Sequence, residues 1–359
     1  MKKLFLLVFL LVTFVATTVF AVLPTGFDLQ AHRGGRDARP ENTLQSFAYA
    51  MAIGVTTLEM DMQITKDGVI VIRHDNHIQY FLARDSWGDF LTFNEMPDIR
   101  TWDFAELKKF DLRSMSPYAP YGYYDAHGKT QKECPGARLC SLEEVFQLVQ
   151  AWGNKDVHLN IETKSYCYPV NPLNPDPYEW VLKFYALVRK YNMQDRVMLQ
   201  SFDWRTIKIM KEIDASIPTV ALTAEQPQWN DEGDEGRYLW LNRKQPSPWM
   251  AGLDIKTFKG DYVKAAHAIK ADVITPYYTE LTPELIKEAH SFGMRVVPYT
   301  INSPDAMRKM VTMGVDGIIT DRPSVARKVL AEMGIKLPAP DSNPKNKPCY
   351  TGTDAVYDN

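Results

Sequence analysis

Leu58-Glu59-Met60-Asp61-Met62-Gln63-Ile64-Thr65-Lys66-Asp67-Gly68-Val69-Ile70-Val71-Ile72-Arg73-His74-Asp75 is the stretch that decides how this chain reads. Polar and apolar side chains alternate from Glu59 to Ile64, the period of a strand, so Glu59, Asp61 and Gln63 share one face. Asp67-Gly68, set between that run and a second apolar run, signals a two-residue hairpin turn. With those two residues as the turn, Lys66 pairs with Val69, and counting outward sets His74 opposite Asp61, Cβ atoms about 5 Å apart. Two carboxylates and an imidazole then converge from one local element. Alternation by itself is the ordinary pattern of a half-exposed strand; the histidine across the hairpin is what turns the pattern into a candidate site.

Outward from the hairpin, short runs rich in Val, Ile, Leu and Thr alternate with helical patterns, the signature of βα units and a parallel sheet. Strands are expected at 27–31, 57–64, 157–161, 196–201, 219–223, 271–275, 294–300 and 317–320. Between the first two, Asn42 is a ready N-cap, Leu44, Phe47, Ala48 and Met51 recur at helical spacing, and Gly54 ends the run. Thr282-Pro283-Glu284 opens another helix that closes near Gly293. A doubly wound sheet alternates in the same way, so the strand ends must choose the architecture. His32 and Arg33, Glu59 and Asp61, Glu162 and Lys164, Gln200, Asn302 and Asp321 fall at or near the carboxyl ends of different expected strands. Barrel enzymes assemble their sites in that way. The expected fold is α/β, a (β/α)8 TIM barrel with an insertion after the second strand hairpin.

Domain organisation follows from the interruptions. Lys2 and Lys3 precede an apolar run from Leu4 to Val15 and then Val19-Phe20-Ala21, an export signal over 1–21 with a cut after Ala21. The alternative is an uncleaved anchor, because the apolar stretch reaches Leu23. The expected location is periplasmic or secreted. The barrel is assigned to 22–336 with an insertion at about 77–138, rich in aromatic residues, Pro and Gly and too long for an ordinary βα loop. The charged, Trp-rich segment 229–250 reads as a smaller lid, and 337–359, with Pro338, Pro340, Pro344 and Pro348, as an irregular tail. Cys134, Cys140, Cys167 and Cys349 lack zinc-site spacing, and an oxidising compartment favours disulfides. Three pairings are open; Cys134 to Cys140 would close a small loop with little steric difficulty. A formal charge of -3 and the lack of a long basic run argue against a nucleic-acid partner.

Grouped carboxylates repel one another inside a pocket, and with no other obvious neutralising partner a bound cation would relieve that cost. Oxygen-only ligands suit calcium or magnesium rather than zinc. His32-Arg33-Gly34-Gly35 offers proton transfer, a planar fork for phosphate oxygens, and backbone that a ligand can approach closely. The other histidines, His77, His127, His158, His267 and His290, lack acidic partners at motif spacing and read as structural. Aromatic residues of the insertion are able to hold a choline headgroup by cation–π contact, but packing within the insertion is the simpler reading.

His32-Arg33-Gly34, Pro40-Glu41-Asn42-Thr43, Glu59-x-Asp61, Thr65-Lys66-Asp67-Gly68 with His74-Asp75, Ile161-Glu162-Thr163-Lys164 and Gly314-Val315-Asp316-Gly317-Ile318-Ile319-Thr320-Asp321-Arg322-Pro323 appear in a telling order and spacing. From about Gln30 to Ala326 the chain thereby resembles the glycerophosphodiester phosphodiesterases. The resemblance implies that Glu59, Asp61 and Glu162 hold one divalent cation, Ca2+ or Mg2+, that His32 and His74 are the general acid/base pair, and that Arg33 and Lys164 contact phosphate. It implies a supporting role for Glu41, near or behind the substrate, and a site-lining role for Gln200. Tyr299 stands where many members carry tryptophan, which keeps an aromatic wall but alters its fit. The implied reaction is hydrolysis of a small-molecule glycerophosphodiester to glycerol 3-phosphate and an alcohol, with no membrane contact required. Rival readings are a lysophospholipase D or sphingomyelinase-like lipid phosphodiesterase, which calls for a wide apolar groove, and a non-catalytic exported binding protein.

Overall fold

A computed structural model describes residues 22–120, 122–153, 155–167, 173–225, 238–240 and 244–341. Its strands are β1 (Asp28–Ala31), β2 (Thr57–Ile64), β3 (Ile70–Ile72), β4 (His158–Thr163), β5 (Val197–Ser201), β6 (Thr219–Thr223), β7 (Val273–Pro276), β8 (Arg295–Val296) and β9 (Gly317–Thr320). The helices are α1 (Leu44–Ile53), α2 (Phe104–Leu107), α3 (Leu142–Trp152), α4 (Pro177–Tyr191), α5 (Trp204–Ile213), α6 (Tyr262–Ala268), α7 (Pro283–Ser291), α8 (Pro304–Met313) and α9 (Pro323–Glu332). Pairing runs β8-β7-β6-β5-β4-β2-β1-β9, parallel throughout, with β3 antiparallel on β2. The circuit is completed between β8 and β9 by backbone bonds: Asp316 N–H donates to Val296 C=O, and Ile319 N–H to Pro298 C=O, each at 2.9 Å. The result is a nearly closed (β/α)8 barrel, with strands buried on both faces as helices cover the outside.

Several expected boundaries move, each for a local reason. Strand β4 extends to Thr163, so Glu162 lies inside the ladder rather than beyond it. Strand β8 spans two residues where 294–300 was expected; Pro298 has no N–H with which to continue pairing. Asn42 is not the cap of α1. Thr43 is, its side chain accepting from Ser46 N–H, while Asn42 sits in the left-handed region and donates to Asp61 Oδ2 at 2.9 Å.

The hairpin is one residue out of the expected register. Met62, Gln63 and Ile64 pair with Ile72, Val71 and Ile70, so Arg73, not His74, stands opposite Asp61, its N–H donating to Asp61 C=O at 2.8 Å. The loop holds three residues, Lys66 to Gly68: Gly68 N–H bonds Thr65 C=O at 3.0 Å, and Gly68 takes φ 81°. A three-residue loop of this kind needs a left-handed third position, which glycine supplies.

Between β3 and α3 the chain builds a secondary cluster from Ile78, Ala83, Leu91, Ile99, Leu107 and Leu112. It is tied to the loop after β1, with Lys132 N–H bonding Ala38 C=O at 3.0 Å and Gln131 Nε2 bonding Arg36 C=O at 2.7 Å. Cys134 is disulfide-bonded, whereas Cys140 and Cys167 are free, so the Cys134–Cys140 closure does not form. The two belong to different cores: Cys134 packs in this secondary cluster and Cys140 in the barrel core, its Sγ facing Asn42 C=O at 3.6 Å. Cys349, most of the 229–250 segment and the leader 1–21 lie outside the described residues. At the start of the tail, Asp341 N–H bonds Ala52 C=O at 2.8 Å. Among the described residues no helix is long and apolar enough to cross a membrane.

Candidate active site

The site forms where β1, β2, β4, β5 and β9 end. Parallel register sets Asp61 beside Glu162 and Glu162 beside Gln200, one row across three strands. Two pairs earlier, Glu59 lies beside Asn160, whose side chain donates to Gln200 Oε1 at 2.6 Å; Gln200 Nε2 in turn donates to Glu59 Oε1 at 3.1 Å. After β1 the chain enters a 3-10 turn, His32–Gly34, in which Arg33 adopts left-handed φ 51°. That conformation is costly for arginine, and it turns the Arg33 N–H onto Glu59 Oε2 at 2.9 Å. Gly34 makes the turn possible, since a Cβ there would fall 2.3 Å from Ser46 Oγ.

Glu59, Asp61 and Glu162 are buried and offer oxygens within 4.8 Å of one another. The expectation that they lack other neutralising partners needs correction: Lys164 Nζ lies 2.8 Å from Glu162 Oε1 and 3.7 Å from Asp61 Oδ1, and Arg33 Nε 3.4 Å from Asp61 Oδ2. These cations leave the trio incompletely satisfied. Burial, then Asp61 and Glu162, push the Glu59 carboxyl well up. Burial likewise pushes Glu162 up to about 7, against the pull of Lys164. At Asp61 burial pushes upward too, but His74, Arg33 and Lys164 outweigh it and hold the carboxyl well below its usual range. Asp61 Oδ1 is buried without a hydrogen-bond partner. An all-oxygen trio with an orphaned acceptor is a donor set able to bind a metal ion.

Both histidines reach the same cavity despite the shifted hairpin. His74 lies two residues past β3, where it is released from the ladder; Gln63 Nε2 holds its C=O at 3.1 Å. His74 Nδ1 faces Asp75 Oδ1 at 3.0 Å and His32 Nδ1 faces Asp321 Oδ1 at 2.5 Å. Burial, with Arg33 and Lys164, pushes His74 down to about 4. His32 is also pushed down by burial, with Asp321 pulling the other way. Asp321 is gripped through both oxygens by Arg36 at 2.7 and 3.2 Å and receives Asn302 Nδ2 at 2.6 Å.

Arg33, Lys164, Gln200 and Tyr299 line the cavity with the histidines, Glu59 and Glu162. Glu41 does not; it stands behind Arg33, accepting its Nη1 at 2.9 Å and the Tyr123 hydroxyl at 3.0 Å. The orienting roles of Asp321, Asp75, Arg36 and Tyr123 were not read from the sequence. Asp321 and Asp75 gave a signal, lying at a strand end and beside His74, whereas Tyr123 is one tyrosine among many in the long segment between β3 and α3. Among the remaining histidines His290 does have an acidic partner, Asp316 at 2.8 Å, but it precedes β9 and so lies at the far end of that strand from the cavity. Trp87, between β3 and α3, is 86% exposed, and the cavity's aromatic faces come instead from Phe202, Tyr277 and Tyr299.

The cavity, about 260 Å³ in volume, at the carboxyl ends of barrel strands defines a TIM-barrel enzyme. Residues 32–325 match the glycerophosphoryl diester phosphodiesterase family, and the chain belongs to that family. A glycerophosphodiester phosphodiesterase of Caldanaerobacter subterraneus subsp. tengcongensis is 27% identical over 304 residues, 85% of this chain and 98% of that protein. A crystal structure of a Silicibacter pomeroyi protein assigned to the same family by name superposes with a TM-score of 0.73 at 29% identity, covering 88% of this chain and 97% of that one. An Oleispira antarctica phosphodiesterase, solved in complex with sn-glycerol-3-phosphate, shares the fold at TM-score 0.58 and 17% identity over 85% of this chain and 97% of its own.

Proposed function

We propose that this chain hydrolyses glycerophosphodiesters to glycerol 3-phosphate and an alcohol, using one divalent cation, Ca2+ or Mg2+, and the pair His32 and His74. The observation that carries the reading is the joint lining of one small cavity by two carboxylate-backed histidines, two acidic residues of the trio, Arg33 and Lys164. Glu59, Asp61 and Glu162 would hold the cation, which supplies positive charge to the phosphoryl oxygens. Arg33 and Lys164 bind the same oxygens and stabilise the charge that grows on them in the transition state. One histidine takes the proton of the attacking substrate hydroxyl as its oxygen bonds to phosphorus. The other protonates the departing alcohol as its P–O bond breaks. With the substrate's own glycerol hydroxyl as the attacking group, this displacement leaves a cyclic phosphate, which water then opens with the proton transfers reversed. Asp321 and Asp75 fix the ring orientations.

A cavity of about 260 Å³, lined by charged and aromatic side chains together, is small for a lipid with its acyl chain; the size favours the water-soluble diester, which needs no membrane contact. Intact acid/base and metal positions favour an enzyme over a binding protein. Export, with 1–21 removed as a signal, and the layout of barrel 22–336, insertion 77–138 and tail 337–359 belong to the same proposal; the sequence pattern of Lys2-Lys3, the apolar run and Val19-Phe20-Ala21 supports the first. The test is release of glycerol 3-phosphate from glycerophosphocholine with and without excess chelator. Release that stops on chelation and returns with Ca2+ or Mg2+ is expected. Full activity in chelator overturns the metal assignment, and no release under any condition overturns the substrate.

A further inference from the structure

Below the cavity, the barrel interior divides into an apolar half and a polar half. Met198, Val220, Val273, Val297 and Ile319 pack as one small cluster. On the other side Asp28, Gln30, Thr57 and Asn160 are buried on the neighbouring strands β1, β2 and β4. They carry an unbroken chain of hydrogen bonds up to the site. Gln30 Nε2 donates to Asp28 Oδ2 at 2.8 Å, and Asn160 Nδ2 donates to Gln30 Oε1 at 2.8 Å and to Gln200 Oε1 at 2.6 Å. Gln200 Nε2 completes the chain on Glu59 Oε1 at 3.1 Å. Thr57 Oγ1 holds the other oxygen of Asp28 at 2.6 Å. Gln200 and Glu59 line the cavity, whereas Asp28, Gln30 and Asn160 do not.

The two ends of this chain fix its polarity. An ionised carboxylate only accepts, so Glu59 in a form able to hold a cation, and Asp28 at the far end, must each receive an N–H. Three amides strung head to tail present an N–H at one end and a carbonyl oxygen at the other, which would turn an oxygen on one of the two carboxylates. One amide must therefore donate in both directions. That takes two hydrogens on one atom, which among uncharged side chains only Asn and Gln have. Asn160 is that amide: its Nδ2 serves both glutamines, while its own Oδ1 is buried without a partner among the described residues. An orphaned acceptor is a cost that Val or Leu at the same strand position would avoid. What the cost secures is direction. With Gln200 Oε1 tied to Asn160, its Nε2 faces Glu59, and Arg33 N–H holds the second oxygen of Glu59 at 2.9 Å. The carboxylate is thus set in place from both sides by amide N–H donors.

We infer that Asn160 is a positioning residue: anchored through Gln30 on Asp28, it holds the Gln200 amide as donor to Glu59 and so presents that carboxylate to a cation. The cation itself rests on the function proposed above. The test is a double-mutant cycle on cation affinity, read by calorimetric titration of the cation-free chain with Mg2+ and with Ca2+ in wild type, Asn160→Leu, Gln200→Met and the two combined. Asn160→Leu should weaken binding about tenfold, the scale of lost support behind a metal ligand. The double variant should bind no more weakly than Gln200→Met alone, because both changes remove one connection. Losses that multiply would mean that Asn160 acts on the barrel at large rather than through Gln200, and unweakened binding by Asn160→Leu would mean that it does not act on the site; either overturns the inference. Gln30→Met, which releases Asn160 from its anchor without altering it, takes the place of Asn160→Leu in the cycle should that variant fail to fold. Solvent exchange of the Gln200 side-chain N–H pair, followed by NMR, reads the relay without a cation. Slow exchange in wild type that becomes fast in Asn160→Leu and Gln30→Met, with no cation bound by any form, would leave the positioning role standing and the metal reading fallen. The same exchange rate in all three overturns the positioning role by itself.

Discussion

At the residue scale, the roles assigned to the two histidines depend on what lies behind them. Asp321 receives His32 Nδ1, Arg36 and Asn302 at once, so it fixes which ring nitrogen faces the cavity. Asp321→Asn keeps the shape but not the charge; kcat for glycerophosphocholine should fall by about a hundredfold, the scale of a general acid–base contribution, with KM little changed. A variant with unaltered kcat and a raised KM would place Asp321 in binding instead. Glu41 has a second consequence. Burial would push its carboxyl up, but Arg33 and then Arg36 outweigh burial and pull it down to about 2 from the usual 4.5. A carboxyl lowered in the folded state contributes stability above its unfolded value and loses it as pH falls through the folded one. The stabilisation from Glu41 is therefore present above about pH 4.5 and lost towards pH 2. Urea unfolding of Glu41→Gln should show a loss of about 3 kcal/mol at pH 7, as for a buried charge stripped of its partner. The gap from wild type should narrow towards pH 2; a constant gap across that window would contradict the pairing.

At the element scale, the segment between β3 and α3 carries His74 into the cavity and also reaches the site from further along the chain, through Tyr123. The Tyr123 hydroxyl donates to Glu41 and accepts from Arg36 Nη1 at 2.7 Å, and Arg36 holds the partner of His32. Tyr123→Phe keeps the ring against Phe81, centroids 5.3 Å apart, and removes only the hydroxyl. A several-fold drop in kcat with an unchanged thermal midpoint is expected; full activity would make the rest of the segment a cover without influence on the chemistry. Elements also mark what sequence could and could not show. Alternation in β2 put Glu59 and Asp61 on one face correctly, because period two survives any register. The pairing across the turn did not follow, because Asp-Gly occurs in both two- and three-residue loops and the difference lies in the backbone of Asp67, which a two-residue type I′ turn would hold at positive φ and which does not take it here. His74 still reached the cavity because it lies beyond β3, where the ladder no longer dictates its face. The tie through Tyr123 left no trace in the sequence, since its partners lie more than eighty residues away.

On the scale of the whole molecule, the barrel was legible because parallel strands buried on both faces leave apolar runs, and because polar residues at their carboxyl ends have no structural reason to recur there. The cysteine arrangement was not, because the choice between Cys140 and its alternatives depends on which of two cores each thiol enters. The central claim is that this barrel brings His32 and His74 together to act as a pair on a substrate that supplies its own nucleophile. Turnover should be measured on glycerophosphocholine and on its analogue lacking the hydroxyl next to the phosphate-bearing carbon, in wild type, His32→Ala, His74→Ala and the double variant. Each single change should cost about a hundredfold or more, the double much less than the product of the two, and the deoxy analogue should bind yet resist cleavage. Rapid hydrolysis of the deoxy analogue, or near-normal turnover by either single variant, would contradict the account.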